Sequence, residues 1–317
     1  MTLALLHQFA RRIAGALPLA LLATLISFVL LFEVGDPAAV IAGEHASPER
    51  LAEINERLGL GRGVLVQYAD WLTSAARGDF GDSWHNRGAT STLVLRHAAP
   101  TLSLIVLAMA ASVIGSTIAG AAAGLRPGGW FDRATRGLAT LGLAIPNFLL
   151  GLLLVLLFAV TLSWLPAAGY RSFQEGWGTA MRYLTLPAAA LTLSLLCQQM
   201  RTFRVSILKE YQTDYVRTAR MKGVTERAIF PRHVARNAAA PLVTVLGLEA
   251  GVLITGSILV ESVFAIPGLG SLLVQSIQTQ DFPIVQALVA SSAIVVLLAN
   301  LAADIAARWL HPAAELA

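Results

Sequence analysis

Six long apolar stretches divide the chain, with polar or charged segments between them. They run approximately over 13–32, 101–124, 138–160, 184–200, 241–260 and 284–309. At about 1.5 Å per residue, stretches of this kind can cross a hydrocarbon core about 30 Å thick. Lipid offers no partner to backbone N–H and C=O groups, so each stretch must be helical. Their continuous hydrophobicity, as over 149–160, is unlike the alternation of barrel strands. The pattern predicts an all-α integral membrane protein with about six transmembrane helices.

Proline and glycine positions predict where these helices bend or approach one another. The fourth stretch is short and contains Pro187 and two glutamines, whereas Pro146 interrupts the third. In the fifth, Gly247 and Gly251 form a pair of small residues four apart, typical of close helix contacts in membranes. Two interpretations stay open for these glycines, namely ordinary bundle packing or a position along a pore.

The composition supports a membrane location. Hydrophobic residues make up 56% of the chain and charged residues only 13%, against about 25% charged in a soluble domain. The first stretch follows Arg11 and Arg12 as a signal peptide would, but it is too long and lacks a convincing cleavage site, so we expect an uncleaved span. The single cysteine, Cys197, excludes an internal disulfide and is expected to be buried as a small apolar residue.

The distribution of lysine and arginine predicts the orientation in the membrane. With a cytoplasmic N-terminus, 15 of the 23 basic residues fall on the inner side, and nine of them lie in 201–236. Each would cost about 2.5–3.5 kcal/mol at the bilayer centre, so this segment must lie outside the hydrocarbon core. An even number of spans then places both termini in the cytoplasm.

The first outer loop is long enough to form a small helical cap. Ser47 and Pro48 suit the beginning of a helix and Gly59 its end. The apolar positions of this helix recur on one face at Leu51, Ile54 and Leu58. A second short helix is expected around 67–72. We therefore expect a folded cap on the outer surface, without a soluble domain large enough to be an enzyme.

The segment 210–241 predicts a helix, a tight turn and a second short helix. The apolar positions Val205, Leu208, Tyr211, Tyr215 and Ala219 recur at helical spacing and predict one helix continuing from the fourth span. Gly223 suits the end of that helix, and Thr225 suits the beginning of the next. The second helix carries apolar residues 228–230 beside charged ones, a pattern that favours docking into a groove of another protein.

Several motifs in this chain resemble those of one family of membrane proteins. They are Thr-Ala-Arg-x-Lys-Gly at 218–223, His-x-x-Arg-Asn-Ala at 233–238 followed by Pro241, Gly-Asp-Phe-Gly-Asp-Ser at 78–83, Ala-Pro-Thr-Leu-Ser-Leu at 99–104, the segment 261–270, Asp-Phe-Pro at 281–283, and Asn300 with Asp304. Together they resemble the permeases of binding-protein-dependent ABC importers, and more narrowly the dipeptide, oligopeptide and nickel branch. The wider family usually has glutamate and alanine where Arg217 and Thr218 stand, other branches have proline at Arg236, and tryptophan is usual at Ile266.

The resemblance implies a type I importer permease fold with four parts. These are an N-terminal segment with the first transmembrane helix (1–32), an extracytoplasmic loop or cap (33–98), a five-helix permease core with a cytoplasmic coupling loop at 201–237 (99–310), and a C-terminal tail (311–317). The localisation it implies is the inner membrane of a bacterium, with multiple passes.

The resemblance also implies roles for two groups of residues. An ATPase subunit would grip a coupling helix formed by Arg217, Thr218, Ala219, Arg220, Lys222, Gly223, Val224, Thr225 and Glu226. A loaded binding protein would contact the outer cap and an outer gate formed by Glu261, Phe264, Pro267, Gly268 and Gly270. For the basic residues of the first group, positive-inside topology is an equally simple explanation, and for Gly223 a plain helix end.

The partners follow from what the chain lacks and from the resemblance. The sequence has no Gly-x-x-x-x-Gly-Lys-Ser/Thr phosphate loop, so ATP and Mg are expected in two partner ATP-binding subunits. The resemblance implies a second homologous permease, forming a heterodimer, and an extracytoplasmic substrate-binding protein. We also expect the chain to contact a lipid bilayer and to bind no nucleic acid. The scattered histidines show no metal-ligand spacing, and neither a catalytic site nor a bound cofactor is expected in this chain.

Charged residues within the spans leave alternatives open. Glu249 either faces the pore or pairs with a polar group of a partner permease, whereas Asp304 is spaced to pair with Arg308. An ion-gradient-driven secondary transporter is the alternative function, although we see no clear inverted repeat, and a membrane scaffold is a third. The cargo stays open among dipeptides, longer peptides, glutathione-like compounds and metal chelates.

Overall fold

The computed structural model describes residues 2–34, 37–43, 46–59, 61–86 and 88–310, and most of them are helical. The helices are α1 (Thr2–Val34), α2 (Pro37–Ala42), α3 (Pro48–Leu58), α4 (Val64–Ala75), α5 (Thr90–Leu125), α6 (Trp130–Ala144), α7 (Asn147–Leu154), α8 (Trp177–Glu210), α9 (Asp214–Met221), α10 (Glu226–Ile229), α11 (Ala235–Val263), α12 (Leu269–Gln278) and α13 (Phe282–Leu310). A π-helical segment, Val155–Thr161, continues α7, and another, Phe230–Val234, joins α10 to α11. The predicted tail, 311–317, lies outside the described residues.

Among the residues that the structure describes, four helices are long and apolar enough to cross a membrane. They are α5, α8, the helix that runs from Glu226 to Val263, and α13 as far as Ala307. The third predicted span is a pair of helices, α6 and α7 with its π-helical end, bent by 101° at the break around Pro146. Counting this pair as one span gives five. The first predicted span is helical within α1, and its apolar part, Leu17–Leu31, is shorter than the others.

The spanning helices are longer than the apolar stretches that predicted them. The fourth predicted span covered 184–200, whereas α8 runs from Trp177 to Glu210 and continues through Pro187. Polar and charged residues extend α8 at both ends, because a helix that leaves the hydrocarbon core can keep its backbone hydrogen bonds in water. The hydrophobic pattern therefore located the helices but underestimated their length.

The chain forms two compact units, and residues 1–101 with 267–297 make up the first. In this unit Tyr68 of α4 donates a hydrogen bond from Oη to the Leu21 carbonyl of α1, at 3.0 Å. Gln286 of α13 donates from Nε2 to the Thr24 carbonyl, at 2.8 Å. Leu272, Ile284 and Leu288 form a small buried apolar cluster. The outer-loop helix α4 is thus held to α1 by hydrogen bonds and by the packing of Tyr68 against Phe28.

The two predicted helices of the outer loop are both present. Ser47 accepts the Arg50 amide at its hydroxyl, at 3.3 Å, and Gly59 ends α3 with a left-handed φ of +64°. Of the predicted apolar face, Ile54 is buried and Leu51 half-buried, whereas the side chain of Leu58 lies outside the described part. The second helix, α4, includes the whole of 67–72.

Residues 102–266 and 298–317 make up the second unit. Its main core packs α5, α8 and α11 together through leucines such as Leu104, Leu191 and Leu253. A Cβ added at Gly247 would lie 2.5 Å from the Ala303 Cβ, so this glycine permits a close contact between α11 and α13. Cys197 is buried, as predicted. The predicted pairing of Asp304 falls on Arg308, whose side chain lies outside the description.

Candidate functional site

After α8 the chain forms two short helices, α9 and α10, whereas the sequence pattern predicted an extension of the fourth span followed by one short helix. The α8 helix ends at Glu210, and α9 begins only at Asp214. Between them Thr213 has extended backbone (φ −74°, ψ 152°) and donates its hydroxyl to the Glu210 carbonyl, at 2.6 Å. The prediction of a continuous helix through Ala219 was wrong, because Thr213 binds a carbonyl at the end of α8 and its extended backbone separates α8 from α9.

The turn at Gly223 agrees with the prediction. Gly223 has φ +78°, a left-handed conformation that suits glycine. Its amide donates to the Arg220 carbonyl at 2.9 Å, and the next amide, of Val224, donates to the Ala219 carbonyl at 3.1 Å. Thr225 stands at the N-cap of α10 with extended backbone but without a side-chain capping bond. The turn therefore reverses the chain within a few residues and exposes its tip.

Apolar packing holds α9 and α10 against the long helices of unit 2. The buried cluster contains Phe203, Ile207, Val216, Ala219, Ile229, Val234, Ala238 and Leu242. It therefore joins residues of α8, α9, α10 and α11 in one apolar interior. Because close-packed side chains transmit displacement, a force applied to the loop would reach both long helices.

Tyr215 adds a polar connection between the same helices. Its hydroxyl donates to the Glu210 carboxylate at the end of α8 and accepts a hydrogen bond from Asn237 Nδ2 of α11, at 3.0 Å. Burial and the neighbouring Glu210 carboxylate raise the pKa of Tyr215, so the hydroxyl stays protonated at neutral pH and remains a donor. The connection was not predicted, because Asn237 follows Tyr215 by 22 residues in the sequence.

Most of the predicted coupling residues lie on one exposed surface. Of the nine, Ala219 is buried and Val224 half-buried, and the other seven are exposed. Arg220 Nε and Glu226 Oε1 form an ion pair of 2.5 Å across the turn, and the Arg220 guanidinium lies over the ring of Tyr211. Met221 was not among the predicted residues, yet its side chain is 75% exposed at the tip. In the sequence, the signal that could have identified Met221 is a methionine two residues before the glycine of a predicted turn.

The predicted outer gate, 261–270, forms a tight turn whose side chains point mostly inward. Glu261 is 0% exposed and Phe264 is also buried, as are Gly268 and Gly270, so of the five predicted residues only Pro267 is exposed. Ala265 has φ +49°, and the Ile266 amide donates to the Glu261 carbonyl at 2.9 Å. In this conformation the buried four shape the turn and offer no side-chain surface to another protein.

Glu249 belongs to a buried polar network that joins three long helices. Gln199 of α8 donates from Nε2 to Glu249 Oε2 at 2.6 Å and to Ser112 Oγ of α5 at 3.1 Å. Ser116 donates to Gln199 Oε1 at 3.0 Å. Glu249 is only 6% exposed, and its Oε1 accepts no hydrogen bond from the described residues. Gln199, one of the two glutamines in the fourth apolar stretch, is the centre of this network.

Two of the motifs that carry the resemblance meet in unit 1. Asp281 accepts hydrogen bonds from the Ser83 hydroxyl at 2.5 Å, the Trp84 amide at 3.1 Å and the His85 amide at 3.2 Å. The rings of Trp84 and Phe282 also contact each other, with centroids 5.1 Å apart. Asp281 and Ser83 are both buried. The motifs at 78–83 and 281–283 therefore form one structural unit that closes the end of the outer loop.

Comparison with known families assigns both parts of the chain. Residues 115–315 match the family described as the binding-protein-dependent transport system inner membrane component, and residues 5–105 match its N-terminal domain. The chain belongs to this family. It is a membrane-spanning permease subunit of an ATP-driven, binding-protein-dependent importer, and the predicted type I permease fold is confirmed. The alternative of an ion-gradient-driven transporter is not favoured, because this family works with ATPases and binding proteins.

Named relatives cover nearly the whole permease. A peptide transport system permease protein of Brucella abortus (strain 2308) is 40% identical over 280 residues, which cover 87% of this chain and 88% of the relative. The glutathione transport system permease protein GsiC of Salmonella typhimurium is 37% identical over 310 residues, covering 98% of this chain and 99% of the relative. The permease is thus a multi-pass membrane protein of a bacterial transport system.

Proposed function

We propose that this permease imports peptides or peptide-like solutes such as glutathione, as one half of a heterodimer with a second homologous permease. Two ATP-binding subunits bind the ATP and Mg, and this chain itself binds no cofactor and catalyses no reaction. A binding protein delivers the cargo from outside. The names of the relatives, a peptide and a glutathione transport system permease, support this cargo class.

The exposed tip around Gly223 is the observation that carries the coupling assignment. Seven predicted docking residues and Met221 form a surface that protrudes from the packed cluster of α8, α9, α10 and α11. Lys222 is exposed and can contact acidic groups, and Arg217 is also exposed although it pairs with Asp214 at 3.6 Å. Met221 supplies an apolar contact. An ATPase groove that grips this surface would move the ends of α8 and α11 together, because the apolar cluster and Tyr215 join them.

The topology that fits this coupling puts the tip and both termini in the cytoplasm of a bacterium, with the permease in the inner membrane. The cap formed by α2 to α4 and the turn at 261–270 then face the binding protein. Within the turn, Pro267 and its neighbours Ala265 and Ser262 are the exposed residues, so they replace the buried Glu261 and Phe264 as contact candidates. The buried residues serve by holding the turn in shape.

Substitution of Gly223 by valine tests the coupling role. A β-branched side chain at φ +78° is strained by about 1–2 kcal/mol even in open space, so the tip must change its conformation. We expect Gly223→Val to abolish cargo uptake and to reduce co-purification of the ATPase, while the amount of permease in the membrane stays unchanged. Uptake of labelled peptide into cells and membrane levels by immunoblot would measure this.

A second glycine provides a matched control. Gly128 also has φ +78° and open surroundings, but it precedes α6 and lies outside the coupling loop. We expect Gly128→Val to keep uptake and ATPase association near the level of the unchanged permease. Normal uptake by Gly223→Val, or an equal loss in both variants, would contradict the coupling assignment.

A further inference from the structure

A groove lies between α6 and α8 in the second unit and is not explained by transport or coupling. It encloses about 440 Å³, enough for a small ligand or a lipid headgroup. Its wall combines three arginines, Arg136, Arg201 and Arg204, with apolar side chains that include Ala139, Leu143 and Met200. A groove that is basic and apolar at once suits a ligand of the same two-part character.

The arginines and the apolar side chains lie towards opposite ends of the groove. The two helices that form its walls, α6 and α8, run antiparallel. Near one end the Asp132 carboxylate of α6 binds the Arg204 guanidinium of α8 through Nε and, at 2.9 Å, through Nη2. Towards the other end, a Cβ added at Gly142 would lie 2.5 Å from Cys197 Sγ. The groove therefore passes from its arginines to Leu143 along the two helices.

The basic end keeps an excess of positive charge. Arg204 is held by Asp132 and forms a fixed part of the wall. Arg136 lies 3.8 Å from the same carboxylate but is 57% exposed, and Arg201 has no acidic partner within 4.0 Å among the described residues. Arg204 and Arg136 thus share one carboxylate and Arg201 adds a third guanidinium group, which leaves an excess positive charge for an anion.

The position along α8 places this basic end at the edge of the membrane. Met200 is the last residue of the fourth apolar stretch, and Arg201 begins the basic segment. At the start of α6, Trp130 is 79% exposed and Phe131 is also exposed. Exposed aromatic residues beside basic ones are typical of the headgroup level of a bilayer. The groove therefore extends from the headgroup level towards the hydrocarbon.

We propose that this groove binds an anionic phospholipid. The phosphate lies between Arg136 and Arg201, and an acyl chain follows Ala139 and Leu143. The apolar wall favours a lipid over a soluble anion, since free phosphate would leave this surface without a partner. Basic pockets between transmembrane helices bind anionic headgroups by the same combination of charge and burial. The site is separate from the coupling tip and does not depend on which cargo is imported.

Lipid retention by the intact transporter tests the proposal. The complete complex would be purified in detergent, mixed with equal amounts of phosphatidylglycerol and phosphatidylcholine, and examined by native mass spectrometry. We expect the complex to retain phosphatidylglycerol in preference to phosphatidylcholine. In the double variant Arg136→Gln with Arg201→Gln, this preference should fall by about fivefold for each arginine removed. Arg204 stays unchanged, because it holds Asp132 and its loss would disturb packing.

The control removes the same charge from exposed positions outside the groove, as Arg126→Gln with Arg232→Gln, and should retain phosphatidylglycerol. Equal retention in all proteins, or an equal loss in both double variants, would overturn the proposal in favour of general surface charge. Displacement of the lipid by excess inorganic phosphate would make the groove an anion site instead. Absence of bound lipid from the assembled complex would show that another subunit covers the groove, which also overturns the proposal.

Discussion

Glu249 shows how this permease accommodates an ionisable residue within a spanning helix. Its carboxyl group receives the Gln199 amide at 2.6 Å and is almost completely buried. A buried polar group without a partner is costly in a membrane, so the pair with Gln199 and its serine neighbours is a structural solution. In this conformation the side chain faces α8 and not an open path, which favours a role in joining helices.

Substitutions of Glu249 separate this structural role from a role of its charge. Glu249→Ala removes the acceptor of a buried Gln199 N–H and should destabilise the permease by about 1–3 kcal/mol. Glu249→Gln keeps an acceptor oxygen and should unfold near the temperature of the unchanged protein. Thermal unfolding of the detergent-purified complex, followed by tryptophan fluorescence, measures both. A Glu249→Gln variant with normal stability but no uptake would instead show that transport needs the ionisable carboxyl group of Glu249.

At the scale of elements, α9 is short and depends on tertiary contacts. Eight residues are too few for a stable isolated helix, so α9 exists because Val216 and Ala219 are buried against α8 and α11. Tyr215 adds hydrogen bonds to Glu210 and Asn237 at its exposed side. The helix α9 is thus a small helix fixed to two long ones by these contacts.

Removal of the Tyr215 hydroxyl should loosen α9 without unfolding the permease. A hydrogen bond of this kind contributes about 1 kcal/mol, so Tyr215→Phe should accelerate amide exchange over 214–221 by about fivefold. Hydrogen–deuterium exchange of the purified complex measures this, with Tyr211→Phe as the control. Because the pKa of Tyr215 is raised, the contribution is present at neutral pH and is lost only when the pH rises above about 10. An unchanged exchange rate in Tyr215→Phe would contradict the claim that the Tyr215 hydroxyl stabilises α9.

At the scale of the whole molecule, the distribution of basic residues predicts an orientation in the membrane. We expect the basic segment 201–236, which contains Gly223, on the cytoplasmic side, and the loop that contains α2 to α4 on the outer side. The single cysteine is buried, which makes the chain suitable for labelling at introduced positions. Replacement of Cys197 by alanine gives a background with no cysteine.

Labelling from one side of the membrane would test this orientation. In the Cys197→Ala background we expect Arg77→Cys to react in intact cells with a membrane-impermeant maleimide, because this exposed residue follows α4 on the outer side. Labelling of Met221→Cys should be at least tenfold greater after the membrane is permeabilised than in intact cells. Transport by each variant confirms a native fold. The reverse labelling pattern would show that the topology is opposite to the predicted one and would contradict the coupling assignment.

Long apolar runs were sufficient to predict the main helices, because a continuous hydrophobic segment in lipid has no alternative to helical hydrogen bonding. Gly223 was likewise predictable as a turn, since it follows the last position of the apolar period, Ala219, precedes the capping residue Thr225, and permits a left-handed φ. The break at Thr213 was not predictable, because the apolar period from Val205 to Ala219 passes through it unchanged. Local pattern thus determined which segments are helical but not where one helix ends and the next begins.

The chain's membrane character, its spanning segments and its family motifs were determined by the sequence alone, because each depends on residues close together along the chain. Only the tertiary structure decided which distant groups meet. Asp281 accepts three hydrogen bonds from residues 83–85, Gln199 joins Glu249 to α5, and Glu261 and Phe264 turn inward instead of facing a partner. These contacts depend on how helices pack side by side, and periodicity within one helix carries no information about the neighbour it contacts.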